Sequence, residues 1–168
     1  MEHKFSETEF EKLVYDNQEL IIKVCNIYCH NQPDKDDLFQ DIIINLWKGL
    51  PSFKGNSKLS TWIYRVSLNT AISGFRKKKK DRFIDIEDIP DSEAISPGSN
   101  PDGELRIKAL HFGINKLKPV EKAIVLLYLE DKSYDEISEI IGISKKNVSV
   151  RLVRLKRKLE KIIKPILE

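Results

Sequence analysis

Cysteine is scarce: Cys25 and Cys29 are the only two in 168 residues. That is too few for a disulfide framework, so stability must come from apolar burial. Long apolar runs are missing as well, and no stretch approaches the roughly 20 residues of a membrane span. The opening MEHKFSETEF carries no apolar h-region, which disfavours a secretory signal. The expectation is a cytoplasmic chain in a reducing compartment. No useful length shows the alternation of a strand, and no glycine-rich phosphate loop is present. His3, His30 and His111 lie in unrelated contexts, and no catalytic triad is visible. CNIYCH places Cys25 and Cys29 on one helix face beside His30, yet a structural zinc wants four ligands, so ordinary thiols are expected. The reading is of a protein that is no enzyme, with no metal, cofactor or small-molecule substrate.

What is present is charge, a third of the chain, with a net value of only +3. The balance hides strong local separation. Helical periodicity dominates. Ser6 and Glu9 have capping-box spacing, and Phe10, Leu13, Val14, Ile21 and Val24 follow as one helix. A second helix is expected from about Pro33-Asp34 to Leu50, stopped by Pro51, with a seam of Leu38, Ile42, Leu46 and Leu50. A loop, SFKGNSK, follows. Ser57 or Ser60 caps a third helix, which reaches Arg76 and the run Lys77, Lys78, Lys79 and Lys80.

Composition then changes. From Phe83 to Leu105 there are seven acids (Asp85, Glu87, Asp88, Asp91, Glu93, Asp102, Glu104) and no base, with proline and glycine in SPGSNPDG. That is a flexible acidic linker. The expected layout is all-α: two small helical domains at 1–82 and 104–168, joined by residues 83–103.

The second domain holds the sharper pattern, SYDEISEIIGISKKNVSVRLVRLKRKL. Ser133 and Glu136 box the start of a short helix with an apolar face of Ile137, Ile140 and Ile141. Gly142 permits the turn, Ile143 plugs the angle, and Ser144 caps the next helix. Val148, Leu152, Leu155, Leu159 and Ile162 form its core stripe. Its other faces carry Lys145, Lys146, Asn147, Ser149, Arg151, Arg154, Lys156, Arg157 and Lys158. A short helix propping a longer one with a polar, cationic N-terminal half is helix-turn-helix logic for a major groove.

With these motifs in place, the chain resembles the extracytoplasmic-function (ECF) sigma factors of bacterial RNA polymerase. DKDDLFQDIIINLWKGLPSFKGNSKLSTWIYRVSLNTAISGFRKKKK is similar to the family's region 2, and LKPVEKAIVLLYLEDKSYDEISEIIGISKKNVSVRLVRLKRKL to its region 4. The two stand in family order, with no third domain between. The fold implied is a region 2 helical bundle plus a region 4 helix-turn-helix.

The resemblance implies that region 2 melts the promoter −10 element and holds it as a single strand. Extruding a base costs a few kcal/mol, and stacking it on an aromatic ring returns about 1–3 kcal/mol. Phe53 and Asn69 match the flipped-base pocket, with Gly55, Asn56 and Ser57 on its loop. Trp62, Tyr64 and Arg65 join this set, although either aromatic can instead serve the core. Arg76 to Lys80 would grip phosphates. In region 4, Ser149, Val150, Val153 and Arg154 match base-proximal positions. Lys145, Lys146, Asn147, Arg151, Lys156 and Arg157 complete the −35 set. KNVSVR departs from the usual run, so the −35 sequence is open, and the two valines suggest thymine methyl contact.

Asp36, Asp37, Leu38, Gln40, Asp41 and Asn45 match the helix that docks on the β′ clamp helices, where acid would repel DNA. The partners implied are core RNA polymerase (β′ clamp helices and β flap), promoter DNA as duplex and melted strand, and an anti-sigma factor, commonly membrane-anchored. The linker would thread toward the active-site cleft, its acids mimicking nucleic acid. The function implied is an alternative sigma factor directing promoter recognition, melting and initiation. The alternative is a free-standing helix-turn-helix regulator, which leaves the base-capturing segment and the acidic helix without a role.

Overall fold

The computed structural model describes residues 4–81 and 100–168. The described regular structure is helical throughout: α1 (Glu7–Asp16), α2 (Gln18–Tyr28), α3 (Gln32–Gly49), a 3-10 turn (Leu50–Ser52), α4 (Leu59–Asp81), α5 (Pro101–Asn115), α6 (Pro119–Leu129), α7 (Tyr134–Ile141) and α8 (Lys145–Leu167). The chain divides into two compact units: α1 to α4 make one, while α5, α6, α8 and residues 134–138 of α7 make the other.

In the first unit the α1 capping box forms as expected. Ser6 Oγ accepts from the Glu9 N–H at 3.2 Å, and the Ser6 N–H donates to Glu9 Oε2 at 2.8 Å. The single helix expected over residues 10–24 is two helices. Asn17 leaves helical geometry, and its side-chain amide donates to the Leu13 carbonyl at 2.9 Å. A short polar side chain that competes for backbone partners interrupts the ladder there. Asn31 caps α3, its Oδ1 accepting from the Asp34 N–H at 2.8 Å. Leu38, Ile42, Leu46 and Leu50 are all buried, packed with Ile21 and Val24 of α2 and Ile63, Leu68 and Ala71 of α4. Each large apolar side chain so buried contributes about 1.5–3 kcal/mol. Neither Ser57 nor Ser60 caps α4: the helix begins at Leu59, and the Trp62 N–H donates to the Lys58 carbonyl.

The expected linker is shorter at its C-terminal end. Asn100 caps α5 and Pro101 opens it, so residues 101–103 are helical; residues 83–99 lie outside the described residues. Proline fits here because the first turn needs no N–H partner. Asp102 and Glu104 thus complement the positive end of a helix dipole.

In the second unit α8 packs across α5 and α6. Val148, Leu152 and Leu155 are buried, and Leu159 and Ile162 half-buried, as the stripe predicts. The α5–α8 crossing is close at Gly113, where a Cβ would sit 3.0 Å from Leu159 Cδ2. At the end of α6 the Asp131 N–H donates to the Tyr128 carbonyl and the Lys132 N–H to that of Leu127. This is a Schellman close, with Asp131 itself left-handed at φ 57°.

Candidate nucleic-acid interface

One region lies where the chain leaves α3 and enters α4. Phe53 and Trp62 meet with ring centroids 5.3 Å apart and planes tilted 40°. Both rings are half-buried. Gly49 makes room for the indole, since a Cβ there would stand 3.2 Å from Trp62 Cζ2. The loop beneath bends at Gly55, whose φ of 74° is the left-handed region that glycine enters without strain. Lys54, Gly55 and Asn56 are exposed and Ser57 half-buried.

Along α4, Trp62, Arg65, Asn69 and Arg76 fall on one face by the 3.6-residue repeat, over about 21 Å. Asn69, Arg76 and Lys77 are exposed and Arg65 half-buried. Lys78, Lys79 and Lys80 continue the helical backbone. Tyr64 does not join them. It is 4 % exposed, on the opposite face with Leu68 and Ala71, and its ring serves the core. The i, i+4, i+7 spacing of these three was the sequence signal that separates Tyr64 from Trp62.

On α3, Asp36, Asp37, Gln40, Asp41 and Asn45 are exposed. Leu38 is not available to a partner, because it points into the bundle as part of the core seam. Gln32 Nε2 donates to Asp36 Oδ1 at 2.8 Å, and Asn45 Nδ2 to Thr70 Oγ1 of α4 at 2.9 Å. Ile44 and Trp47 are exposed on the same helix, and Phe10 braces the Trp47 ring edge-on at 4.9 Å. These apolar neighbours were absent from the sequence-based set.

The helix-turn-helix forms as its caps predict. Ser133 Oγ accepts from the Glu136 N–H at 3.1 Å, and the Ser133 N–H donates to Glu136 Oε2 at 2.8 Å. Gly142 ends α7 at φ 80°, and Ser144 Oγ accepts from the Asn147 N–H at 3.2 Å. Ser138 Oγ donates to the Ile143 carbonyl at 2.5 Å, tying the turn. Ile137 and Ile140 are buried, Ile141 and Ile143 half-buried.

Outward from the buried stripe of α8 stand Lys146, Asn147, Val150, Arg151, Val153, Arg154 and Arg157, all exposed; Ser149 is half-buried. The flanking cations are engaged. Lys145 pairs with Asp135 at 3.3 Å. Lys156 Nζ sits 4.4 Å from the Tyr128 ring centroid, and a hydrogen bond with Tyr128 raises the lysine pKa. Lys158 Nζ donates to Glu121 Oε2 at 3.0 Å, and the same oxygen accepts from the Lys118 N–H at 2.9 Å. Burial pushes the Glu121 carboxyl up, but these donors and the lysine charge outweigh it and leave the pKa lowered. No local signal links residues as far apart as Glu121 and Lys158.

Neither cysteine forms a disulfide. Cys25 is buried, and burial together with Cys29 pushes its thiol up to about 12. Among the described residues no group of acidic, histidine or cysteine side chains could hold a metal, and no helix is long and apolar enough to cross a membrane.

The family model described as Sigma-70 region 2 matches residues 13–81, and that described as Sigma-70, region 4 matches residues 107–159. The chain is 29 % identical over 174 residues to the ECF RNA polymerase sigma factor SigW of Bacillus subtilis (strain 168), covering 97 % of this chain and 93 % of that one. It is 28 % identical over 158 residues to the ECF RNA polymerase sigma-E factor of Escherichia coli (strain K12), covering 86 % and 83 %. Among solved structures, the fold is similar to the sigma factor RpoE in complex with the anti-sigma factor NepR from Bartonella quintana, with a TM-score of 0.71 at 20 % identity over 93 % of this chain and 97 % of that one. Region 2 and region 4 thus occupy the two helical units in order, and the chain belongs to the ECF sigma factors, the promoter-specificity subunits of bacterial RNA polymerase.

Proposed function

We propose a division of labour within this sigma factor. The Phe53–Trp62 pair and the 54–57 loop receive an unstacked base of the −10 element. Asn69 and Arg65 line the same track, and Arg76 with the lysines after it holds the phosphates. The outward face of α8 reads the −35 duplex, with Lys146, Arg151, Arg154 and Arg157 on phosphates or base edges. The exposed acids of α3, with Ile44 and Trp47 beside them, dock on the β′ clamp helices of core polymerase, and region 4 meets the β flap.

The observation that carries this reading is the α4 face, where an aromatic, an amide and a cation follow one another on one side of a single helix. A stacking surface followed by phosphate donors suits a single strand better than a duplex. Segregated acid on α3 suits a protein partner, because it would repel DNA.

The chain acts in the cytoplasm, where polymerase and chromosome are. An anti-sigma factor is a further partner, a reading supported by two similar structures, the sigma factor RpoE in complex with NepR and CnrH in complex with the cytosolic domain of CnrY. The acidic residues between the two regions, Asp85 to Glu93, follow the path of nascent RNA.

The test is transcription by sigma-free core polymerase on fragmented genomic DNA of the source organism, with and without the chain, mapping RNA 5′ ends. New starts that share −10 and −35 elements are expected. No new starts and no binding to core, beside a working primary sigma factor, would reject the assignment.

A further inference from the structure

The reading face of α8 is polar or cationic except at two places. Val150 and Val153 are 40 % and 47 % exposed, while Val148 and Leu152 beside them are buried. They sit three residues apart on one face, with Lys146, Arg154 and Arg157 exposed around them. An isolated exposed valine on a helix needs no explanation. Two on the outermost strip of a DNA-reading helix are a different matter, because neither can bond a phosphate or a polar base edge.

We propose that Val150 and Val153 are specificity-determining residues that read the C5-methyl groups of thymines at two neighbouring base pairs of the −35 element. The inference rests on the assignment of α8 to the −35 duplex given above. In the major groove the thymine methyl is the one apolar feature a base pair presents. Valine suits it physically. Its β-branch leaves one strongly preferred rotamer in a helix, so the two methyls of each side chain are already placed before DNA arrives. It is short, so the helix can approach closely while the longer Lys146, Arg154 and Arg157 reach past it to the backbone.

The spacing sets the register. Three residues rise roughly 4.5 Å along a helix, against about 3.4 Å per base step, so adjacent pairs are the natural partners. One methyl removed from an apolar contact is expected to weaken binding about fourfold.

The experiment uses the full chain with core polymerase and a duplex carrying the −35 element recovered by start mapping. Each thymine in that element is replaced in turn by deoxyuracil, which removes only the methyl. Binding should weaken about fourfold at each of two neighbouring positions. Val150→Ala and Val153→Ala should each abolish the thymine–uracil difference at one position and leave the other intact. Both sites are exposed and alanine is a better helix former, so loss of folding does not confuse the result. If the holoenzyme distinguishes its −35 element from scrambled duplex but binds thymine and uracil alike, the inference is overturned. It is equally overturned if each alanine variant weakens both duplexes by the same factor. If even the wild type cannot distinguish the element from scrambled duplex, the assignment of α8 falls, and this inference with it.

Discussion

The rings of Phe53 and Trp62 lie 5.3 Å apart, joining the loop after α3 to the first turn of α4. The pair is neither core nor free surface. Gly49 allows one side of the indole to lie against the end of α3, and both rings keep part of their surface open.

If this pair receives a flipped base, Phe53→Ala should weaken binding of the holoenzyme to a fork-junction −10 probe by about 1–3 kcal/mol. Binding to core and to a −35 duplex should hardly change. A variant that binds the fork junction as tightly as wild type would remove Phe53 from the pocket.

The α5–α8 crossing should be intolerant of bulk. Gly113→Ala gains up to about 1 kcal/mol of helix propensity but forces a Cβ within 3.0 Å of Leu159 and 3.2 Å of Ile163. Overpacking of this kind costs about 1–3 kcal/mol, so a net loss is expected, larger for Gly113→Val. The urea midpoint followed by circular dichroism checks the order wild type, alanine, valine.

Asp131 offers the opposite case. It holds the left-handed position of the α6 Schellman close at φ 57°. That geometry strains a side chain with a Cβ and suits glycine, so Asp131→Gly should stabilise the chain by up to about 1 kcal/mol. Thermal denaturation would reveal it; a lowered midpoint would mean that the aspartate side chain contributes more than its backbone strain costs.

Glu121 ties its stability contribution to pH. Its carboxyl is lowered from the ordinary 4.5 in the folded state, burial being outweighed by the Lys118 amide and Lys158. A depressed carboxyl contributes stability that is fully present above its ordinary value and is lost as pH falls through the folded value. Glu121→Gln should therefore cost about 0.5–1 kcal/mol at neutral pH, a modest figure because both partners remain partly solvated. The difference from wild type should shrink in acid. Urea titrations at both pH values, with Lys158→Met as the second arm of a double-mutant cycle, measure it.

The sequence by itself determined most of the helices, several of their caps and the segregation of charge. Capping boxes at Ser6–Glu9 and Ser133–Glu136, the left-handed glycine at 142 and the Ser144 cap are local interactions, formed within a few residues of one another. Spacing alone therefore marks them. The buried stripes Leu38–Ile42–Leu46 and Val148–Leu152–Leu155 were legible for the same reason, since one helix turn repeats every 3.6 residues.

Only the tertiary structure decided which partner each side chain meets and which charges are engaged. Trp62 and Tyr64 stand two residues apart, yet one joins Phe53 at the surface and the other enters the bundle. Lys158 finds Glu121 and Lys156 finds Tyr128 because α6 lies against α8. Helix periodicity orders side chains around one axis, whereas the partner each meets depends on the neighbouring helix, whose position arises from packing between residues distant in the chain.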